Sequence, residues 1–310
     1  MKKSVLLLFL IISVLGCVED FDFKLQKAEP RLVVEGLITN QKGPYYVRLT
    51  KSMPGGLTTV ERNYSQTDNA IPVKDAIVTI SDDNGQCDTL KYIIINLYPD
   101  VHKDDIYNQG FYATQKLQGI PGHTYTLKIT WEGKEFVASA FMPPVPKVDS
   151  LSYRLKKSEM VGKSDYYIPL LYFKEPQDTV NYYLFQLQED LQSRIFSSVQ
   201  LWQFSVLSDT YLEPYVNGLN ISRGATPRGI DFLPVYGEGQ TIYVALSSLT
   251  KEAYSYYKNL LEQFESDGGA YKPAPASPPG NISNGGLGFF RASAVSEART
   301  DIKITHPMEP

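Results

Sequence analysis

Tyr45-Tyr46-Val47-Arg48-Leu49-Thr50-Lys51 is the stretch that decides the fold class. Tyr45, Val47 and Leu49 alternate with Tyr46, Arg48 and Thr50, and a period of two is what a strand shows when one face is buried and the other meets water. The same grammar extends in both directions. Upstream, Leu32-Val33-Val34-Glu35-Gly36-Leu37-Ile38 is rich in β-branched residues and closes at Asn40. Downstream, Ala76-Ile77-Val78-Thr79-Ile80 runs into Asp82-Asp83-Asn84-Gly85, where Asn-Gly predicts a tight hairpin turn with positive φ angles, and residues 90–95 read as the return strand. Gly119-Ile120-Pro121-Gly122 introduces Tyr125, Leu127 and Ile129 in alternation with Thr124, Thr126, Lys128 and Thr130, and a Glu132-Gly133 turn leads into a strand over 135–141. Short strands, Gly and Asn turns and the lack of any helical period predict an immunoglobulin-like antiparallel sandwich over residues 30–142.

Met142-Pro143-Pro144-Val145-Pro146 breaks this pattern. Prolines cannot donate to a ladder and favour an extended connection, so 143–147 reads as a linker. A second β-rich unit is expected over 148–298, with strands at 166–173, 181–188, 194–201 and 240–246 separated by loops carrying Pro176, Pro214, Gly218, Gly224 and Gly237. One helix is legible near Thr250–Ser266. Thr250 can cap its amides, Leu249 can staple onto Tyr254, and Ala253, Tyr257, Leu260, Leu261 and Phe264 share one face before Gly268-Gly269. Asn281-Ile282-Ser283-Asn284-Gly285-Gly286 precedes a closing strand over 287–295, and 299–310 reads as a polar tail. The fold expected is therefore mainly β, two antiparallel sandwich-like domains in tandem, the second with one amphipathic helix.

The chain opens on Met1-Lys2-Lys3 and an apolar run over 5–15, the length of a signal-peptide core and about half that of a membrane-spanning helix. The run ends in Val14-Leu15-Gly16-Cys17, which resembles the bacterial lipobox. Residues 1–16 are then a cleaved leader, Cys17 is the lipidated residue that ties the protein to a membrane, and 17–29 is an acidic tether. The alternative is a plain secretory peptide with an incidental cysteine.

Composition narrows the chemistry. A net charge of −4 and a pI near 5.5 argue against nucleic acid as a partner. Of two cysteines, Cys17 is assigned to lipid, so Cys87 has no intramolecular partner and is expected as a small, at least half-buried thiol. The loop holding Asp100, His102, Asp104 and Asp105 lacks the mid-loop glycine and terminal glutamate of a calcium loop, so no metal is assigned. His102, His123 and His306 are scattered, and there is no Gly-x-Ser-x-Gly elbow or phosphate-binding loop. No catalytic residue and no cofactor are assigned.

Tyrosine stands out, with 22 residues against 14 Phe, and it concentrates in the second unit at Tyr153, Tyr166, Tyr167, Tyr172, Tyr182, Tyr183, Tyr211 and Tyr215, beside Trp202. Strand alternation buries part of this set, which leaves the loop tyrosines Tyr211, Tyr215 and Tyr236 as the candidate ligand contacts. Asn281 and Asn284 join them if the glycine-rich segment 281–288 is a contact loop. A purely conformational role for that segment stands beside this reading.

The lipobox, Pro30-Arg31-Leu32-Val33-Val34-Glu35-Gly36, Asp75-Ala76-Ile77-Val78-Thr79-Ile80, Ile120-Pro121-Gly122-His123-Thr124-Tyr125 and Asn281-Ile282-Ser283-Asn284-Gly285-Gly286-Leu287-Gly288-Phe289-Phe290 together resemble the family of domain of unknown function 4249. That resemblance implies a Bacteroidota lipoprotein working beside a TonB-dependent outer-membrane receptor in nutrient uptake, with no established catalytic residues. The first unit alone is similar to the carboxypeptidase regulatory-like sandwich, a catalytically inert module. Glu19-Asp20 resembles the signal that exports such lipoproteins to the cell surface, and Asp88-Thr89-Leu90, Asp149-Ser150-Leu151 and Asp178-Thr179-Val180 resemble an O-glycosylation acceptor of the same bacteria. The function expected is an outer-membrane lipoprotein facing the exterior, a non-enzymatic accessory that captures a peptide, glycan or chelate for the receptor. The alternative is a free-standing adhesin that binds a polymer or host protein.

Overall fold

The computed structural model describes residues 29–52, 71–95, 109–157, 165–188, 204–221, 236–265 and 278–303. Among them the protein is mainly β, with several antiparallel sheets and one α-helix. The leader, Cys17, most of the tether, the loop around His102, the strand expected at 194–201, Trp202 and His306 lie outside the described residues.

The first sandwich faces two sheets onto one core. Strand β1 (Leu32–Thr39) pairs with β2 (Tyr46–Lys51), which also takes the short β3 (Ile71–Pro72). The opposing sheet contains β4 (Ile77–Asp82) and β5 (Cys87–Thr89). Strand β6 (Lys91–Ile93) pairs with β7 (Phe111–Ala113) beside β2, whereas β8 (Thr124–Trp131) and β9 (Lys134–Phe141) complete the β4 sheet in the order β5-β4-β8-β9. Alternation is obeyed closely. Val47 and Leu49 of β2, Val78 and Ile80 of β4 and Tyr125, Leu127 and Ile129 of β8 are all inside.

Three local expectations are corrected. At the hairpin only Gly85 takes a positive φ, of 84°, because Asp82 Oδ1 accepts from the amides of Asn84 and Gln86 and holds a loop one residue longer than the tight turn. The return strand is β5, and after Leu90 the chain crosses to the other sheet as β6. Cys87 is exposed, because Asp88 is the inward residue of β5. Asp88 Oδ2 accepts from the amides of Gln115, Lys116 and Leu117 at 2.8, 2.8 and 2.9 Å, so the buried carboxylate is satisfied by backbone.

The second sandwich packs β10 (Val148–Lys156), β11 (Tyr166–Lys174) and β14 (Tyr215–Asn220) over β12 (Tyr182–Gln188), β13 (Phe204–Ser208), β15 (Thr241–Leu249) and β17 (Val295–Asp301). Leu151, Leu171 and Phe173 meet Tyr183, Phe185, Val244 and Leu246 between the layers. Helix α1 (Lys251–Glu265) begins as its sequence predicts. Thr250 Oγ1 accepts from the Ala253 amide at 3.2 Å, and Leu249, Ala253, Tyr254 and Tyr257 share one apolar cluster.

Residues 281–294 fall in the first sandwich, not in a contiguous second domain of 148–298. Strand β16 (Leu287–Ser293) lies parallel to β1, from Val33 opposite Leu287 to Thr39 opposite Ser293, at the edge of the order β16-β1-β2-β7-β6. Parallel pairing needs a long crossover, and the part of the second sandwich from β10 to α1 lies between β9 and β16 in the chain. Phe290 and Ala292 enter the first core, while Phe289 packs against Tyr256 and Tyr257 of α1. Both faces of β16 are thus covered, and Arg291 and Ser293, on the Phe289 face, are buried with it. Gly288 permits the approach: its φ is 90°, and a Cβ there would lie 2.0 Å from the Val34 carbonyl oxygen.

The two sandwiches meet where β16 passes into β17. Ala294 is fully buried, its amide donates to Ser248 Oγ at 3.0 Å, and Ser248 Oγ donates to the Pro143 carbonyl at 2.6 Å. Asn40, at the end of β1, holds the Val295 amide through Oδ1 at 2.8 Å. The start of β1, where the N-terminal segment enters, is therefore at the opposite end of the first sandwich from the second one. Seven steps of about 3.3 Å along β1 separate these ends by about 23 Å.

Candidate functional site

The β11–β12 loop (residues 175–181) and the β13–β14 loop (residues 209–214) lie side by side at one end of the second sandwich. The Glu175 amide donates to the Pro214 carbonyl at 3.0 Å and the Asp209 amide to the Asn181 carbonyl at 3.0 Å. A single 3-10 turn, Asp209–Tyr211, is capped by Ser208 and closed by the Leu212 amide on the Asp209 carbonyl at 2.7 Å. Tyr211 stands on this turn with 91% of its surface exposed, Tyr215 opens β14 at 49%, and Val180 contributes a third exposed apolar residue at 68%. Large apolar side chains held out on a rigid turn lose little conformational freedom on binding, which suits recognition.

Beneath them lies a buried polar network. Glu175 is only 2% exposed, and its Oε1 accepts from Tyr183 Oη at 2.8 Å and from Asn181 Nδ2 at 3.0 Å. Burial pushes the Glu175 carboxyl above the usual carboxylate range; the Tyr183 and Asn181 hydrogen bonds oppose this and the neighbouring Asp209 charge adds to it. The Tyr183 hydroxyl is pushed up as well, first by burial and then by Glu175. Asp209 Oδ2 accepts from the Asn181 amide at 2.6 Å and so ties one loop to the other.

The five sequence-predicted contacts divide cleanly. Tyr211 and Tyr215 come together. Tyr236 does not: it is 6% exposed, part of the core, and its carbonyl accepts from Tyr167 near the far end of β11. Asn281 turns inward, with Oδ1 accepting from the Phe290 amide at 2.9 Å and Nδ2 donating to the Phe290 carbonyl at 2.7 Å and the Ser139 carbonyl at 3.3 Å. Asn284 sits at φ 53° and donates from Nδ2 to the Glu135 carbonyl at 3.4 Å. Together with Ser283 on Val137, the segment stitches β9 to β16 and satisfies the free backbone groups of both edges. The conformational reading of that glycine-rich stretch is the one the geometry supports.

Glu175, Asn181 and Asp209 were not legible as site residues. Glu175 and Asn181 flank a Pro-Gln-Asp-Thr-Val stretch and Asp209 follows Ser208, and neither stretch carries a ligand-binding motif. Among the remaining titratable groups, His123 Nδ1 contacts Asp83 Oδ1 at 2.6 Å on the surface, and among the described residues no three His, Cys, Asp or Glu side chains gather around one point. No helix among the described residues is long and apolar enough to cross a membrane.

A tandem-sandwich β protein with an aromatic, loop-borne surface is the class that fold and site define. The chain belongs to the family described as Domain of unknown function (DUF4249), whose family model matches residues 18–299. No curated protein matches it significantly.

Proposed function

We propose that the protein is an outer-membrane lipoprotein, anchored through Cys17 and facing the exterior, that serves a TonB-dependent receptor as a non-enzymatic accessory in nutrient uptake. The Tyr211–Tyr215 end of the second sandwich is the surface that meets ligand or receptor. The observation that carries this reading is Tyr211, almost wholly exposed on a turn whose base is fixed by hydrogen bonds. Family membership supports the partnership, since the resemblance implies receptors of that class.

The geometry also fits an anchored protein. The tether would enter the first sandwich at Arg31, whose Nε donates to the Gly285 carbonyl, and the second sandwich starts beyond the opposite end of that unit. An anchor at Cys17 then ties the membrane to the end of the first sandwich remote from the β16–β17 junction. Replacing Cys17 with Ser moves the protein from the membrane to the soluble fraction and abolishes its contribution to uptake, with its circular dichroism unchanged. Membrane retention or undiminished uptake of the Cys17→Ser variant contradicts the anchoring.

A further inference from the structure

The polar network under Tyr211 has more acceptors than donors. The Asn181 Nδ2 amide has two hydrogens, yet three oxygens surround it: Glu175 Oε1 at 3.0 Å, the Thr179 carbonyl at 3.1 Å and the Pro176 carbonyl at 3.3 Å. A fourth oxygen, Glu175 Oε2, is buried and accepts from no donor among the described residues. Glu175 is 98% removed from solvent, and none of the ion pairs among the described residues involves Glu175 or Asp209. An ionised carboxylate in such a place costs several kcal/mol unless a positive charge or further donors face it. The orphan Oε2, bonded to the same carbon as the oxygen that contacts Asn181, marks where the compensation is missing.

A hard cation supplies it. Calcium takes six to eight oxygens at about 2.3–2.6 Å, from carboxylates, amides and backbone carbonyls, and its loop sites draw most of these from a few consecutive residues. A half-turn of the Asn181 amide about Cβ–Cγ puts Oδ1 where Nδ2 now sits, 3.0–3.3 Å from the other three oxygens. Adjacent ligands of an ion held at about 2.4 Å are separated by about 3.4 Å at right angles and by less at the narrower angles of a seven-fold shell, so these three separations suit neighbouring ligands of one ion. After the same rotation Nδ2 faces Thr179 Oγ1, which now contacts Oδ1 at 3.1 Å and as a hydroxyl can accept equally well.

We propose that the β11–β12 loop is a calcium site, in which the Glu175 carboxylate, the Asn181 amide oxygen and the Pro176 and Thr179 carbonyls hold the ion and Asp209 supplies a second negative charge beside it. Occupancy fixes the loop pair that carries Val180, Tyr211 and Tyr215, so the ion sets the rigidity of the contact surface. This goes beyond the accessory role proposed above and does not depend on the receptor.

The test uses the full chain purified in detergent and stripped with chelator, with calcium, magnesium and terbium as probes. Terbium bound beside Tyr183 emits on tyrosine excitation, calcium displaces it with half-effect at about 10⁻⁴–10⁻³ M, magnesium displaces it at least tenfold less effectively, and calcium raises the thermal midpoint. Glu175→Gln removes both the emission and the calcium shift while remaining folded. Should that variant not fold, Asp209→Asn takes its place and weakens calcium at least tenfold. Absence of calcium-sensitive emission together with an unmoved midpoint overturns the site. Glu175→Gln that is more stable than the parent, with calcium inert in both, shows that a proton and not a metal neutralises Glu175.

Discussion

Replacing Phe290 with Ala tests the return of β16 to the first sandwich. Its ring is fully buried in the first core and seats on Gly36 of β1, where a Cβ would stand 2.8 Å from Phe290 Cδ2. Removing it from a packed site deletes the transfer free energy of the ring and leaves a cavity that rigid sheets on either side cannot close. Such Phe→Ala changes cost about 3–5 kcal/mol. At a urea m-value of about 2 kcal/mol per molar for a unit of this size, the midpoint of the first sandwich falls by about 1.5–2.5 M. The two units need separate reporters, and the chain provides them: of its two tryptophans, Trp131 is buried in the first core, so a Trp202→Phe background leaves Trp131 as the sole indole. In that background Phe290→Ala shifts the Trp131 fluorescence transition by the stated amount. A Trp131 transition that stays in place while the rest of the protein loses stability refutes the shared core and returns residues 287–293 to the second unit.

Two further perturbations probe the first sandwich. Asp88→Ala strands three amides, two of which can reach water, and costs about 2–3 kcal/mol at pH 7 in urea unfolding. Burial pushes the Asp88 carboxyl up, but the amides of Lys116, Leu117 and Gln115 outweigh it and the net shift is downward; its stabilisation is therefore complete above the unfolded carboxylate pKa of about 3.9 and is lost as pH falls through the folded value, so the gap between parent and variant narrows in strong acid. Gly288→Ala forces a left-handed φ and a collision with the Val34 carbonyl, and it lowers the same Trp131 midpoint by at least about 1 M, whereas the open turn position Gly85 tolerates Ala with a smaller loss.

The strands were legible because water and core impose a period of two on them, as in β2, β4 and β8, and the helix because Thr250 caps a stripe that fits 3.6 residues per turn. The domain boundary was not, and β16 shows why. Phe289 and Phe290 are adjacent and both buried, one against α1 and one in the first core, and even Arg291 and Ser293 are buried, so neither face of the strand meets water and its sequence does not say which unit it joins. Cys87 was misplaced for a related reason: a carboxylate reads as outward, yet Asp88 is inward because three amides from residues 27 to 29 positions away meet it. Of the candidate contacts, Tyr211 and Tyr215 are exposed, as the loop reading expects, whereas Tyr236 is buried and its backbone bridges back to β11. The oxygen cage below Tyr211 relies on two backbone carbonyls, which carry no side-chain signature at all.

Partnership with a receptor is the centre of this account, and affinity purification from native outer membranes measures it directly. C-terminally tagged protein, extracted in mild detergent after brief crosslinking, is expected to bring down a TonB-dependent receptor in near-equimolar amount and to lose it when Tyr211 and Tyr215 are both replaced with Ala. Recovery of the intact protein with a polymer or host protein and no receptor contradicts the account and leaves the adhesin in its place.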